Sequence, residues 1–173
     1  MRMALTLIDE RNVAGSVATA TPGKETDPLG TLQRVREQAT ANGLPYAGCV
    51  LPDLAWQLFQ EGHALLVDVR TPEELSYVGR VPGATHLAWA TGTAQVRNPR
   101  FVRELESKVP KHLVVLFLCR SGKRSAAAAE AATKTGYVSA FNVLEGFEGE
   151  LDEHRQRGAI GGWRHRKLPW VQD

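Results

Sequence analysis

Leu113-Val-Val-Leu-Phe-Leu-Cys-Arg-Ser-Gly-Lys-Arg-Ser-Ala-Ala-Ala-Ala129 is the stretch on which the reading of this chain turns. The apolar run Leu113 to Leu118 is unbroken and too short for a comfortable helix, so it predicts an inner strand of a parallel sheet covered on both faces. Cys119 stands at the carboxyl end of that strand. The alanine-rich segment from Ser125 to Thr135 predicts a helix by intrinsic propensity, with Gly136 as its stop and Glu130 and Lys134 as an i,i+4 pair.

Between strand and helix lie the five residues Arg120 to Arg124. A loop pinned in this way points several backbone N–H groups at one spot, and the helix N-terminus adds a positive partial charge, so whatever binds above Cys119 is expected to be anionic. An ordinary thiol has a pKa of about 8.5, which neighbouring cations or a helix N-terminus lower to roughly 3.5–7.5, and this makes Cys119 a candidate thiolate nucleophile. Arg120, Lys123 and Arg124 supply further attraction for an oxyanion. The competing reading is an inert, buried cysteine, since unpaired cysteines are among the most buried residues. Its place between a buried strand and a cationic loop favours the nucleophile. Phosphoryl chemistry fits less well. A Cys-x5-Arg phosphatase loop needs an arginine six positions after the cysteine, and Ser125 stands there. A tighter loop favours a smaller atom on the cysteine, and sulfur is the obvious one.

The segment Cys119-Arg-Ser-Gly-Lys-Arg-Ser125 closely resembles the active-site loop of rhodanese-type sulfurtransferases. The resemblance implies that Cys119 takes a sulfane sulfur from thiosulfate or a persulfide, becomes a persulfide itself, and yields the outer sulfur to a thiol or to cyanide. In that scheme the backbone N–H groups from Arg120 through Gly122 to Ser125 surround the persulfide, while Arg120, Lys123 and Arg124 receive the donor's oxyanion. Ser121 and Ser125 offer hydroxyl hydrogen bonds or act as local caps. Neither cofactor nor metal is expected. A docking module of the same family, without turnover, is the alternative from another functional class, because fold does not fix function.

Upstream, Ala64-Leu-Leu-Val-Asp-Val69 reads as a second buried strand, followed by Thr71 and Glu74 in capping-box spacing with Pro72 at the first helical position. The run Asp68-Val-Arg-Thr-Pro-Glu-Glu74 and Gly79-Arg-Val-Pro-Gly-Ala84 resemble two further signatures of the family, with Arg80 and Val81 where histidine and isoleucine are usual. Asp68 and Arg70 are expected as a buried polar pair in structural support. Thr85 to Leu87 reads as a short strand, and His86 is given no catalytic role. Residues 89–99 read as a loop, with a helix over 101–106. Before these come helical periodicity from Thr31 to Ala39 and again from Leu54 to Phe59; Cys49 between them is expected to be a small buried filler.

Downstream, Phe141 to Leu144 reads as another strand, and Gly146 with Phe147 stands where the family commonly has two glycines. The resemblance covers about Leu51 to Phe147. The tail from His154 to Trp170, basic and carrying Trp163 and Trp170, looks like the extension of some bacterial single-domain members. A nucleic-acid surface is weighed against a packed tail with its tryptophans on apolar surface and its arginines in solvent, and the packed tail is favoured. A basic rim at the reactive loop is a further expectation for this segment.

The fold class expected is α/β: an open, mainly parallel sheet of about five strands flanked by helices on both faces. At 173 residues the chain suits one core, divided as a loosely ordered arm over 1–30, the main domain with an added helix over 31–150, and the tail over 151–173. Apolar content of 43%, charged content of 23% and a net charge of +2 are ordinary for a globular protein and imply no polyanionic partner. Two cysteines form no disulfide framework or metal-ligand spacing, and a working thiol suits a reducing cytosol. The short apolar run at the N-terminus supports neither a signal peptide nor a membrane span. The expected partners are a small anionic sulfur donor and a thiol acceptor, with no nucleic acid and no membrane, in the cytoplasm; oligomeric state is not written in the residues.

Overall fold

The computed structural model describes residues 26–172, so most of the expected arm over 1–30 lies outside the described residues. The cysteine-bearing strand is β6, Val115–Leu118, and every one of its residues is buried. It pairs in parallel with β2, Leu65–Asp68, on one side and with β7, Ala140–Val143, on the other. Outside these lie β3, Thr85–His86, next to β2, and β1, Gly48–Val50, next to β7, giving a five-stranded parallel sheet in the order β1-β7-β6-β2-β3. This is the α/β architecture that the apolar runs predict.

Side chains alternate across the sheet with period two, which explains why β6 is apolar throughout. Leu116 and Leu118 join one cluster with α1, Pro28–Ala41, and α2, Pro52–Gln60, through Leu32, Val35, Leu54 and Leu58. Val115, Phe117 and Cys119 join the other, with Phe101 and Leu105 of α4, Phe101–Lys108, and Ala128, Ala129 and Ala132 of α5, Lys123–Thr133. Alanines let α5 lie close on the sheet. Cys119 therefore points to the α4/α5 side.

Two expectations need correction, and one strand is unread in the sequence. Helix α5 begins at Lys123, two residues before the predicted start, because Gly122 takes φ +94° and turns the chain into the helix early. Residues 89–99 contain a hairpin, β4, Ala90–Thr91, and β5, Val96–Arg97, where a loop is predicted; two-residue strands give too little alternation to be read. Strand β1 is likewise too short, and its Gly48 at φ +136° carries no strand signal.

The helix α3, Pro72–Val78, starts as its capping box predicts: the Thr71 hydroxyl accepts from the Glu74 N–H, and the Glu74 carboxylate accepts from the Thr71 N–H. Thr71→Ala is expected to lower unfolding free energy by about 1 kcal/mol in denaturant titrations. The tail is strapped to the domain. Trp163 is fully buried, edge-on to Trp56 at 5.9 Å, and Val171 pairs with Arg80 in an isolated antiparallel bridge. Two arginines of the tail depart from the solvent position expected: Arg166 is half-buried between Glu145 and Asp53, and Arg157, also half-buried, donates to the Gly149 carbonyl. No helix among the described residues is long and apolar enough to cross a membrane.

Candidate active site

Strand β6 ends in Leu118, and the next residue, Cys119, has 1% of its surface exposed. Its thiol is nevertheless turned to polar groups. The Gly122 N–H donates to Sγ at 3.2 Å, and the Ser125 hydroxyl stands 3.2 Å from the same sulfur. The loop holds this curl because its outward carbonyls are taken up from behind: the N–H groups of Phe147 and Glu148 donate to the oxygens of Cys119 and Arg120 at 2.8 and 2.9 Å. Gly146 allows that approach. At φ +63° it lies so near the loop that a Cβ there would sit 2.5 Å from the Cys119 oxygen.

Above the sulfur opens a cavity of about 550 Å³. Arg120, Ser121, Lys123 and Arg124 form one side, and Trp89, Ala90, Thr93, Gln95 and Arg97 of the β4–β5 hairpin form the other. The guanidinium of Arg97 lies 4.1 Å from the Trp89 ring centre, so the indole holds this cation at the rim. No described residue of the tail lines the cavity, so its basic groups do not form the rim expected of them.

The predicted site residues are brought to one place, but Arg124 is differently engaged. Both its terminal nitrogens donate to the Glu74 carboxylate, at 2.6 and 2.7 Å, and one also donates to Gln95 at 2.9 Å. The expected donor contact thus meets a carboxylate already in place, and the side chain ties α5 to α3 and to the hairpin. Arg120 and Lys123 stay exposed, and among the described residues Lys123 makes a 3.9 Å contact with Glu150. Ser121 lines the cavity, Gly122 supplies the amide, and Ser125 is wholly buried against the sulfur.

Glu74 serves both the capping box and Arg124. Burial pushes its carboxyl up, but hydrogen bonds from Arg124 and the Thr71 N–H outweigh that and hold it below the ordinary glutamate value. A depressed carboxyl contributes stability above its unfolded pKa, about 4.3, and loses it as pH falls through the folded value. In denaturation at a series of pH values, Glu74→Gln is therefore expected to be less stable than the parent at neutral pH. The gap closes on acidification below about pH 4.

Asp68 and Arg70 are the buried pair expected. The Arg70 Nη2 donates to Asp68 at 2.6 Å and to the Gly79 carbonyl at 2.9 Å, while its guanidinium stacks 3.9 Å from the Phe147 ring centre. Phe147 thus packs on Arg70 while its N–H holds the loop. The pair links the end of β2 to the segment that braces Cys119. His86 Nε2 lies 2.9 Å from the Arg70 carbonyl, in keeping with a structural role. Among the described residues no group of three or more His, Cys, Asp or Glu side chains could hold a metal ion.

Sequence reasoning missed the hairpin wall, the engagement of Glu74 with Arg124, and Asn142. Gly92, which takes φ +67° just after β4, is the sequence's turn signal for the hairpin. Asn142 in the apolar run Phe141 to Leu144 is a buried amide and so a sign of local polar need.

The family model described as "Rhodanese-like domain" matches residues 51–151. An uncharacterized protein of Rickettsia rickettsii is 35% identical over 119 residues, covering 65% of this chain and 87% of its own. The crystal structure of Rv0390 from M. tuberculosis is similar at 44% identity and a TM-score of 0.68, over 74% of this chain and 99% of that one. The polysulfide-sulfur transferase homodimer of Wolinella succinogenes shares the fold at 19% identity and a TM-score of 0.53, over 87% and 95% of the two chains.

Proposed function

Because the chain belongs to the rhodanese-like domain family, we propose that it is a sulfurtransferase working through a persulfide on Cys119. One observation carries this reading: a cysteine sulfur receives a main-chain N–H at 3.2 Å on the floor of a cavity rimmed by Arg97, Arg120 and Lys123. The Cys119 thiolate attacks the outer sulfur of thiosulfate. A new S–S bond forms as the donor's S–S bond breaks, and sulfite leaves with the electron pair. A persulfide donor reacts in the same way and releases its thiolate. The rim cations favour approach of the anionic donor, and the Gly122 amide faces the charge left on the enzyme. An acceptor thiolate or cyanide then attacks the outer sulfur and restores the Cys119 thiolate.

The test is intact mass after incubation with thiosulfate, followed by cyanolysis. The expected result is a gain of about one sulfur (~32 Da) that cyanide removes as thiocyanate. A chain that takes up no sulfur from thiosulfate or from glutathione persulfide would be a docking module instead.

A further inference from the structure

Ser125 carries one hydroxyl proton and has three acceptors in reach: Asn142 Oδ1 at 2.7 Å, the Gly122 carbonyl at 3.0 Å and Cys119 Sγ at 3.2 Å. Asn142 lies on β7 in register with Cys49 of β1 and Phe117 of β6, and is 3% exposed. A carboxamide inside a sheet is costly unless both ends are partnered. Its Nδ2 end donates to Cys49 Sγ at 3.8 Å, and the Tyr46 hydroxyl lies 3.5 Å from that sulfur. Burial raises both the Cys49 thiol and the Tyr46 phenol, so each keeps its proton at neutral pH. Five side chains, Cys119, Ser125, Asn142, Cys49 and Tyr46, thus form one polar chain through an apolar sheet.

We propose that Asn142 is a positioning residue for the Cys119 sulfur, matching the Ser125 hydroxyl to the charge on that sulfur, with Cys49 and Tyr46 closing the chain behind it. When Cys119 is a neutral thiol, its S–H donates to the Ser125 oxygen and Ser125 donates to Asn142 Oδ1. When the sulfur is an anion, its proton having left to solvent, the Ser125 proton turns to it. The Ser125 oxygen then takes an N–H from Asn142, whose amide turns end over end. Asn142 Oδ1 now accepts the Cys49 thiol proton, and the Cys49 sulfur accepts from Tyr46. Only hydroxyl, thiol and amide rotations are needed. A carboxamide suits the centre of such a chain because it is donor at one end and acceptor at the other. The charged groups packed around Cys119 do not supply this match. Asp68 is held by Arg70 and Glu74 by Arg124, while Arg97, Arg120 and Lys123 lie on the cavity side, away from Asn142.

The inference rests on Cys119 as the working sulfur, and alkylation tests it without a sulfur donor. The rate of Cys119 modification by iodoacetamide is followed against pH in the full chain, resolved from Cys49 by peptide mass spectrometry. Asn142→Leu is expected to move the midpoint of that profile up by about one pH unit, since an anion loses the alignment of one hydrogen bond. Cys49→Ala, a small change in a buried site, is expected to move it in the same direction by less. Unmoved midpoints in both variants overturn the inference; should Asn142→Leu fail to fold, an unmoved Cys49→Ala profile does so alone. Shifted midpoints in a chain that takes up no sulfur uphold this inference and reject the sulfurtransferase reading.

Discussion

Cys119→Ser is expected to abolish sulfur uptake, with thiocyanate formation from thiosulfate and cyanide falling at least about a thousand-fold and the ~32 Da gain in mass absent. The loss is chemical rather than steric. Serine keeps the place and the Gly122 contact, but a hydroxyl is not ionised near neutrality, and among the described residues its hydrogen-bonding neighbours are the Gly122 amide and the Ser125 hydroxyl, neither of them a base, while His86 is engaged with the Arg70 carbonyl. Oxygen also cannot store a sulfane sulfur as a persulfide. The fold is expected to survive, because the substitution conserves shape at a site that already has two hydrogen-bonding neighbours. Uptake of sulfur by the serine variant, equal to that of the parent, would move the chemistry away from Cys119.

Gly146→Ala is expected to lower stability by roughly 3 kcal/mol and turnover by about a hundred-fold. Two costs combine. The residue sits at φ +63°, where a side chain is disfavoured by about 1–2 kcal/mol, and its Cβ would lie 2.5 Å from the Cys119 oxygen and 2.6 Å from the Arg120 carbonyl carbon and Ser121 nitrogen. Those are backbone atoms of the reactive loop, so relief of the clash displaces the loop. Gly43→Ala is the control. It has φ +67° with no atom within 4 Å of a Cβ, so it incurs only the backbone cost and leaves turnover unchanged. Thermal unfolding and thiosulfate turnover of the two variants separate the effects; parental turnover in Gly146→Ala would show that the loop does not depend on this approach.

The parts of the molecule legible in the sequence are those written in consecutive residues. Leu113 to Leu118 predicts the central strand because both its faces are covered by helices. Thr71, Pro72 and Glu74 predict the start of a helix because the cap is local. Cys119 to Ser125 predicts the curled loop for the same reason, since its turn and its first amide contact lie within four residues of each other. What escaped depends on distant partners. Arg124 reads as a rim cation until Glu74, fifty positions away, arrives to hold it. Asn142 reads as one polar residue in a strand until parallel pairing sets it beside Cys49. The β4–β5 hairpin has two residues in each strand and leaves no periodicity to detect.

The strand order has a consequence for synthesis on the ribosome. Among the described residues β7 is the last strand of the sheet to be made, yet it lies between β1 and β6, and β1 has no other neighbour there. As the chain emerges, β1 must wait for β7 and β6 keeps one edge open, its apolar residues exposed to chance association, until residues 140–143 leave the exit tunnel. The brace from Phe147 and Glu148 follows only a few residues later. The Cys119 loop is thus made well before the residues that hold it, and sheet and brace are completed almost together.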